Sequence, residues 1–277
     1  MININEARIG FQSIGNTYPA HPGIAREDTE IAGTPCSWFL PEAAPESDII
    51  FYIHGGAFIF GSVDSHGPMV SHIAHQLQKK ILFIDYRLAP EFPFPTGLND
   101  CAAVILEVCR QNKDLKFGII GDSAGGNLTL ATQLLLKKIN GPKSQFTIII
   151  SPWLDLECKN KSFERNKTAD VVLSRSYLLE SVKLYTAGEP VTNPFVSPAN
   201  GHFEGFSPVM ILCGTREILQ DDSIRLHQRL MKENVSSELH EFKNELHVWP
   251  FMDISSEASN KALLLMSEFV NKNQLSK

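Results

Sequence analysis

The chain has 277 residues, a formal net charge of −6 and a hydrophobic fraction of 43%, enough for one large domain or two small ones with a substantial core. The mild acidity, without a basic stripe, argues against nucleic acid as a partner, and no apolar run approaches the ~18 residues that a bilayer span needs. Met1–Glu6 lacks the pattern of a signal peptide, and the five cysteines (Cys36, Cys101, Cys109, Cys158, Cys213) are odd in number without C-x-x-C spacing, which together point to a cytoplasmic protein with free, buried thiols.

Residues 1–27 read as irregular with some helix. Two short strands follow over 26–33 and 34–40, around the turn Ala32-Gly33-Thr34, and then a polar, proline-bearing connection over 41–47. Asp48–Ile53 is a strand by its β-branched and aromatic content, and it runs straight into His54-Gly55-Gly56-Ala57-Phe58. Next come a helix over 68–80, a strand over 81–86, a proline-rich loop over 89–95 and a helix over 98–112. A strand over 116–120 leads into Gly121-Asp122-Ser123-Ala124-Gly125, and 128–138 is rich in good helix formers. The strand 146–150 ends at Ser151-Pro152-Trp153. Residues 154–205 are more polar, with helical pattern around 175–186, and read as an insertion over the end of the sheet. The alternation resumes with a strand over 209–214, a helix over 222–233, a strand over 237–242 and a helix over 255–273. Near-continuous Ile, Leu and Phe strands alternating with helices imply an α/β fold: a mostly parallel sheet covered on both faces. The expected organisation is a single domain over 1–277, with a cap formed by about 1–25 and 154–205.

Strand, G-x-S-x-G, helix is the context of a nucleophile elbow. The serine sits on a sharp turn, the flanking glycines avoid clashes, and the helix N-terminus aims free N–H groups at the same spot. A serine hydroxyl needs a base, and the base needs a third group to hold one tautomer. In this architecture the chain order is Ser, then Asp or Glu, then His. His247 alone among nine histidines occupies the loop after the last strand. Glu217 lies closest to the end of its strand; Asp221 and Asp155 are the other carboxylates that could serve. Asp221 and Asp222 also suit the start of the next helix, where carboxylates cap free N–H groups. The loop His54-Gly55-Gly56-Ala57 supplies amides for an oxyanion, with Gly55, Gly56 and Ala124 as the donors. His54 shapes that loop, Asp122 bonds loop backbone, and Arg87 is a buried ion-pair partner. Phe58, Trp153 and the phenylalanines of the 92–94 loop are candidate pocket residues, plain packing being the alternative. His72 and His75 lie three apart on a helix without a third ligand, a surface pair rather than a metal site. No cofactor is called for.

His54-Gly55-Gly56-Ala57-Phe58, Asp85-Tyr86-Arg87-Leu88-Ala89-Pro90-Glu91, Gly121-Asp122-Ser123-Ala124-Gly125-Gly126-Asn127, Ser151-Pro152-Trp153 and Ser197-Pro198 together resemble the hormone-sensitive-lipase-like family of α/β-hydrolases, whose bacterial members are family IV carboxylesterases. The resemblance covers about residues 45–270. It implies an eight-stranded core with a small cap, and carboxylesterase activity on small-molecule esters of short acyl chains. It also implies the nucleophile Ser123, the base His247, the oxyanion donors Gly55, Gly56 and Ala124, and a tendency to form homodimers. Many members carry Asp where this chain has Glu217. The same triad would serve an amide or formamide hydrolase, and some proteins of this fold only bind ligands.

Overall fold

The computed structural model describes residues 4–42 and 48–273; most of the expected connection over 41–47, and the first three residues of the N-terminus, lie outside the described residues. The strands are β1 (Ile24–Ile31), β2 (Thr34–Pro41), β3 (Asp48–Ile53), β4 (Lys80–Ile84), β5 (Lys116–Asp122), β6 (Phe146–Ile150), β7 (Val209–Gly214) and β8 (Ser237–Phe242). The helices are α1 (Ile4–Gln12), α2 (Val63–Leu77), α3 (Thr96–Gln111), α4 (Ala124–Lys138), α5 (Ser162–Arg165), α6 (Arg175–Thr186), α7 (Gln220–Lys232), α8 (Trp249–Met252) and α9 (Glu257–Asn273).

The eight strands form one sheet in the order β1-β2-β4-β3-β5-β6-β7-β8. From β4 to β8 neighbours run parallel, while β1 pairs with β2 and β2 with β4 antiparallel. Helices α2 and α9 pack together on one face; α3, α4 and α7 cover the other. With both faces covered, the central strands can be apolar throughout, and every residue of β6 and β7 is buried. The edge strand β1 instead exposes Arg26, Glu27, Asp28 and Glu30, charges that discourage pairing with another chain.

The sheet order determines where a site can form. The chain leaves β3 for β4 on one side and then crosses back to β5 on the other. That reversal opens a crevice at the carboxyl ends of β3 and β5, and the two segments there are the glycine loop after Ile53 and the turn at Ser123.

The two largest boundary differences from the sequence reading are helix starts. Helix α2 begins at Val63, five residues before Pro68. Its start is set by Ser62 and Ser65: the Ser62 N–H donates to Ser65 Oγ at 3.0 Å, and the Ser65 hydroxyl donates to Ser62 O at 2.9 Å. Pro68 therefore lies inside the helix, where it cannot donate to the Asp64 carbonyl. Gly15 packs against that carbonyl so closely that a Cβ there would lie 1.9 Å from the oxygen. Helix α4 starts at Ala124 rather than at Leu128 because Gly125 and Gly126 are helical. The insertion after β6 carries α5 and α6. Its Phe163, Leu178, Tyr185 and Val196 join the same buried cluster as Phe51, Ile53 and Ile119 of the sheet, so one core runs through both.

Candidate active site

Strand β5 delivers Ser123 on a backbone with φ 52° and ψ −120°, a sparsely populated conformation held by its surroundings. The Ser123 N–H donates to Ile150 O at 2.9 Å, and the Trp153 N–H donates to Ser123 O at 3.1 Å. The start of α4 lies directly against the end of β3: a Cβ on Gly125 would fall 2.0 Å from Ile53 O, and one on Gly121 would fall 2.4 Å from Thr129 Oγ1. Both glycines of the pentapeptide are thus required by contact.

The loops after β7 and β8 bring their residues to this serine. His247 Nε2 lies 2.9 Å from Ser123 Oγ, and His247 Nδ1 lies 3.0 Å from Glu217 Oε2. Since a carboxylate only accepts, Nδ1 carries the hydrogen toward Glu217 and Nε2 is left to accept from the serine hydroxyl. Glu217 is fully buried, and Ser123 and His247 are 8% and 7% exposed. Asp221 and Asp155 turn elsewhere. Asp221 accepts from Ser162 N–H and Arg165; Asp155 accepts from the Glu157 N–H and faces Arg225 at 3.3 Å. Asp221 and Asp222 do lie in the first turn of α7, but they bind the insertion instead of capping that helix. Asp222 accepts from the Leu154 and Asp155 N–H groups and from Asn160.

Ser151 has an evident place here that its sequence context does not reveal. Its hydroxyl donates to the second Glu217 oxygen at 2.7 Å and accepts the Val248 N–H at 3.1 Å, so one buried side chain joins the acid to the residue after the base. The Gly214 N–H donates to the same Glu217 oxygen. From the insertion, Asn166 donates to Glu217 O at 2.6 Å, and Asp170 accepts the Ile218 N–H at 2.8 Å.

The glycine loop requires a correction. The Gly55 N–H, expected as an oxyanion donor, donates to Asp122 Oδ1 at 3.0 Å, so that amide already has an acceptor. Gly55 is needed for fit, because a Cβ there would meet Asp122 Oδ2 at 2.2 Å and Ser123 Cβ at 3.1 Å. The next residues, Gly56, Ala57 and Phe58, have φ of 109°, 54° and 66°, a left-handed run that only Gly adopts without cost. Among the described residues, no acceptor is bonded to the Gly56, Ala57 or Ala124 N–H.

Asp122 also accepts from the Tyr52 hydroxyl at 2.7 Å and lies 3.6 Å from His66 Nε2. Burial opposes its ionisation, but the charge of His66 and the hydrogen bonds outweigh that and hold the carboxyl below the usual aspartate range. His54 donates from Nδ1 to Gly55 O at 2.7 Å and stacks on Tyr86 with centroids 4.3 Å apart. Burial, aided by His66, lowers its pKa to about 3, so it is neutral. His54 thus shapes the loop, as expected.

Three further expectations are refined. Arg87 pairs with Asp100 through bonds of 3.0 and 2.7 Å, but it is the aspartate that is buried; the arginine is half-exposed. Phe58 and Trp153 are 1% and 0% exposed, with Phe58 stacked on Tyr185 of α6 at 3.7 Å and tilted against Trp153 at 5.6 Å. They form packed wall rather than open pocket lining. His72 donates to Pro19 O at 3.2 Å, and His75 stacks on His21 at 3.6 Å. All five cysteines are free, and no helix among the described residues is long and apolar enough to cross a membrane.

Comparison with known proteins identifies the fold and the family. Residues 50–251 match the model of a family described as alpha/beta hydrolase fold. An esterase of Acinetobacter venetianus is 31% identical over 233 residues, 83% of this chain and 77% of that protein. An acetyl-hydrolase of Streptomyces hygroscopicus is 29% identical over 228 residues, 82% of this chain and 76% of that protein. The crystal structure of an esterase from the bacterial hormone-sensitive lipase family superposes with a TM-score of 0.95 at 29% identity, covering 99% of this chain and 92% of that one. With its sheet order, its strained serine turn and these relatives, the chain belongs to the hormone-sensitive-lipase-like branch of the α/β-hydrolase fold family.

Proposed function

We propose that this chain, a carboxylic ester hydrolase by family, is a serine carboxylesterase that works through Ser123, His247 and Glu217. The observation that carries the reading is the unbroken line of hydrogen-bond contacts, 2.9 Å from Ser123 Oγ to His247 Nε2 and 3.0 Å from Nδ1 to Glu217. His247 takes the serine proton as Oγ attacks the ester carbonyl. Glu217 holds the ring in that tautomer and stabilises the imidazolium. The free N–H groups of Gly56 and Ala124, with that of Ala57, receive the oxyanion. His247 then returns the proton to the leaving alcohol, and water repeats the sequence on the acyl-enzyme.

Short acyl chains are the preferred substrates on this reading. Phe58 packs against both Tyr185 and Trp153, and the Trp153 N–H donates to Ser123 O, which leaves little apolar surface for a long chain. The insertion 154–205 and the N-terminal helix form the cap, and the free thiols suit a cytoplasmic location. Turnover by purified protein on p-nitrophenyl esters of two to twelve carbons, and on matching anilides, tests the reading. A maximum is expected among the shortest esters, with Ser123→Ala folded and lower by roughly five to six decades. Anilide turnover matching the ester would move the assignment to an amidase, and wild-type turnover by Ser123→Ala would overturn the nucleophile.

A further inference from the structure

The N-terminal helix α1 buries none of its residues, yet it sends one side chain to the glycine turn. Arg8 Nε donates to Ile59 O at 2.9 Å, and Arg8 Nη2 donates to Ala89 O at 2.9 Å. The same guanidinium forms a bidentate pair with Glu91 through two bonds of 2.8 Å. The Ala89 N–H in turn donates to Phe58 O at 3.0 Å. Arg8, the exit of the left-handed run at Phe58 and Ile59, and the loop at Ala89 thus form one closed hydrogen-bonded ring.

That run needs external support. Of three consecutive residues with φ between 54° and 109°, the two that are not glycine are strained and persist only where neighbours enforce them. On the entry side the enforcement is Asp122, through the Gly55 N–H. Within the turn the Ile59 and Phe60 N–H groups both donate to Gly56 O, at 3.0 and 2.8 Å. On the exit side it is Ala89 and Arg8. A guanidinium suits this place because its planar fork presents donors in fixed directions and reaches two carbonyls and a carboxylate at once. Arg8 has a side-chain exposure of 24%, whereas Glu91 is half-exposed, so the carbonyl bonds are the more sheltered half of the contact. Phe11, one helical turn on, stacks on Phe60 at 5.7 Å and lies tilted against Phe251 of α8 at 5.6 Å. The helix therefore rests at once on the glycine turn and on the segment that follows His247.

We propose that Arg8 is a positioning residue for the oxyanion: by fixing the Ile59 and Ala89 carbonyls it holds the Gly56–Phe58 turn with its amides aimed at the reacting carbonyl. The proposal rests on the esterase reading above. A group acting this way affects the transition state more than substrate binding.

The experiment compares wild type, Arg8→Met, Arg8→Lys and Glu91→Gln in full-length protein, with active sites counted by a fluorophosphonate probe. Per active site, Arg8→Met is expected to lower kcat on p-nitrophenyl acetate about tenfold with KM within about twofold. Binding of a trifluoromethyl ketone, whose hemiketal oxygen carries the same charge as the intermediate, should weaken in parallel. Arg8→Lys, with a single ammonium in place of the fork, should fall between. Glu91→Gln, which leaves the carbonyl bonds in place, should stay within about twofold of wild type. Unchanged kcat and ketone affinity per site in Arg8→Met, or losses fully explained by fewer titratable sites, would overturn the proposal. If Arg8→Met does not fold, Arg8→Lys is read by the same criteria, and wild-type values there overturn it equally. Failure of the esterase reading looks different: wild type itself would then show no turnover above Ser123→Ala.

Discussion

The turn that carries Ser123 and the loops that carry Glu217 and His247 are built in opposite ways. Ser123 is positioned by steric contact: Gly121 and Gly125 bring strand, turn and helix so close that no side chain fits, and the strained backbone has no room to relax. Glu217 and His247 are positioned by polar tethers, from Ser151 just after β6 and Gly214 at the end of β7, and from Asn166 and Asp170 in the insertion. Packing is all-or-none, whereas a hydrogen-bond network loses strength one bond at a time. On the proposed reading, the chain fixes its reactive oxygen rigidly and leaves the acid–base pair partly dependent on the insertion 154–205.

The largest expected effect that separates the two regions is chemical. Glu217→Gln should fold normally and lower kcat by roughly three to four decades, while Asp221→Asn stays within about tenfold. The reverse result in ester turnover would move the acid role to Asp221. Next comes the packed side. Gly125→Ala should cost on the order of 3 kcal/mol and lower the melting temperature by roughly 5–10 °C; a melting curve superimposable on wild type would contradict positioning by contact. On the tethered side, Asn166→Ala removes the donor to Glu217 O at 2.6 Å and should lower kcat about tenfold with little loss of melting temperature. Unchanged kcat would detach the insertion from the acid loop.

The last effect, read in stability rather than in turnover, is a pH slope. Burial raises Asp222 from 3.8 to about 7. The folded state thus holds that proton more tightly than the unfolded one, so the associated stability is complete at pH values below 3.8 and is lost as pH rises through about 7. Urea titrations of wild type and Asp222→Asn should therefore differ by an amount that moves against wild type as pH rises from about 4 to about 8. A difference independent of pH would contradict this.

Much of the fold and site is legible in the sequence because the relevant signals are local. The buried strands are apolar runs, and the order Ser, Glu, His follows the order of the loops. G-x-S-x-G between strand and helix places Ser123 on its turn. What is not legible depends on contacts between distant segments. Gly55 and Gly56 look alike in the chain, but only the fold shows that Asp122 takes the Gly55 amide. Ser151 reads as a residue at the end of a strand, and its link between Glu217 and Val248 spans 66 and 97 positions. Pro68 suggests a helix start because proline suits first turns; Ser62, Ser65 and Gly15 override that preference. Phe58 and Trp153 follow strand ends, which suggests a pocket, but Phe58 packs against the insertion's Tyr185 and against Trp153, and both are buried.

The most direct test of the central claim is to trap the acyl-enzyme. Protein quenched in acid during turnover of p-nitrophenyl acetate, then digested and analysed by mass spectrometry, should carry one acetyl group per chain on the peptide containing Ser123, and Glu217→Gln should acquire it far more slowly. An acetyl group on a different residue, or steady ester turnover with no covalent adduct and no initial burst of p-nitrophenol in rapid mixing, would contradict the claim.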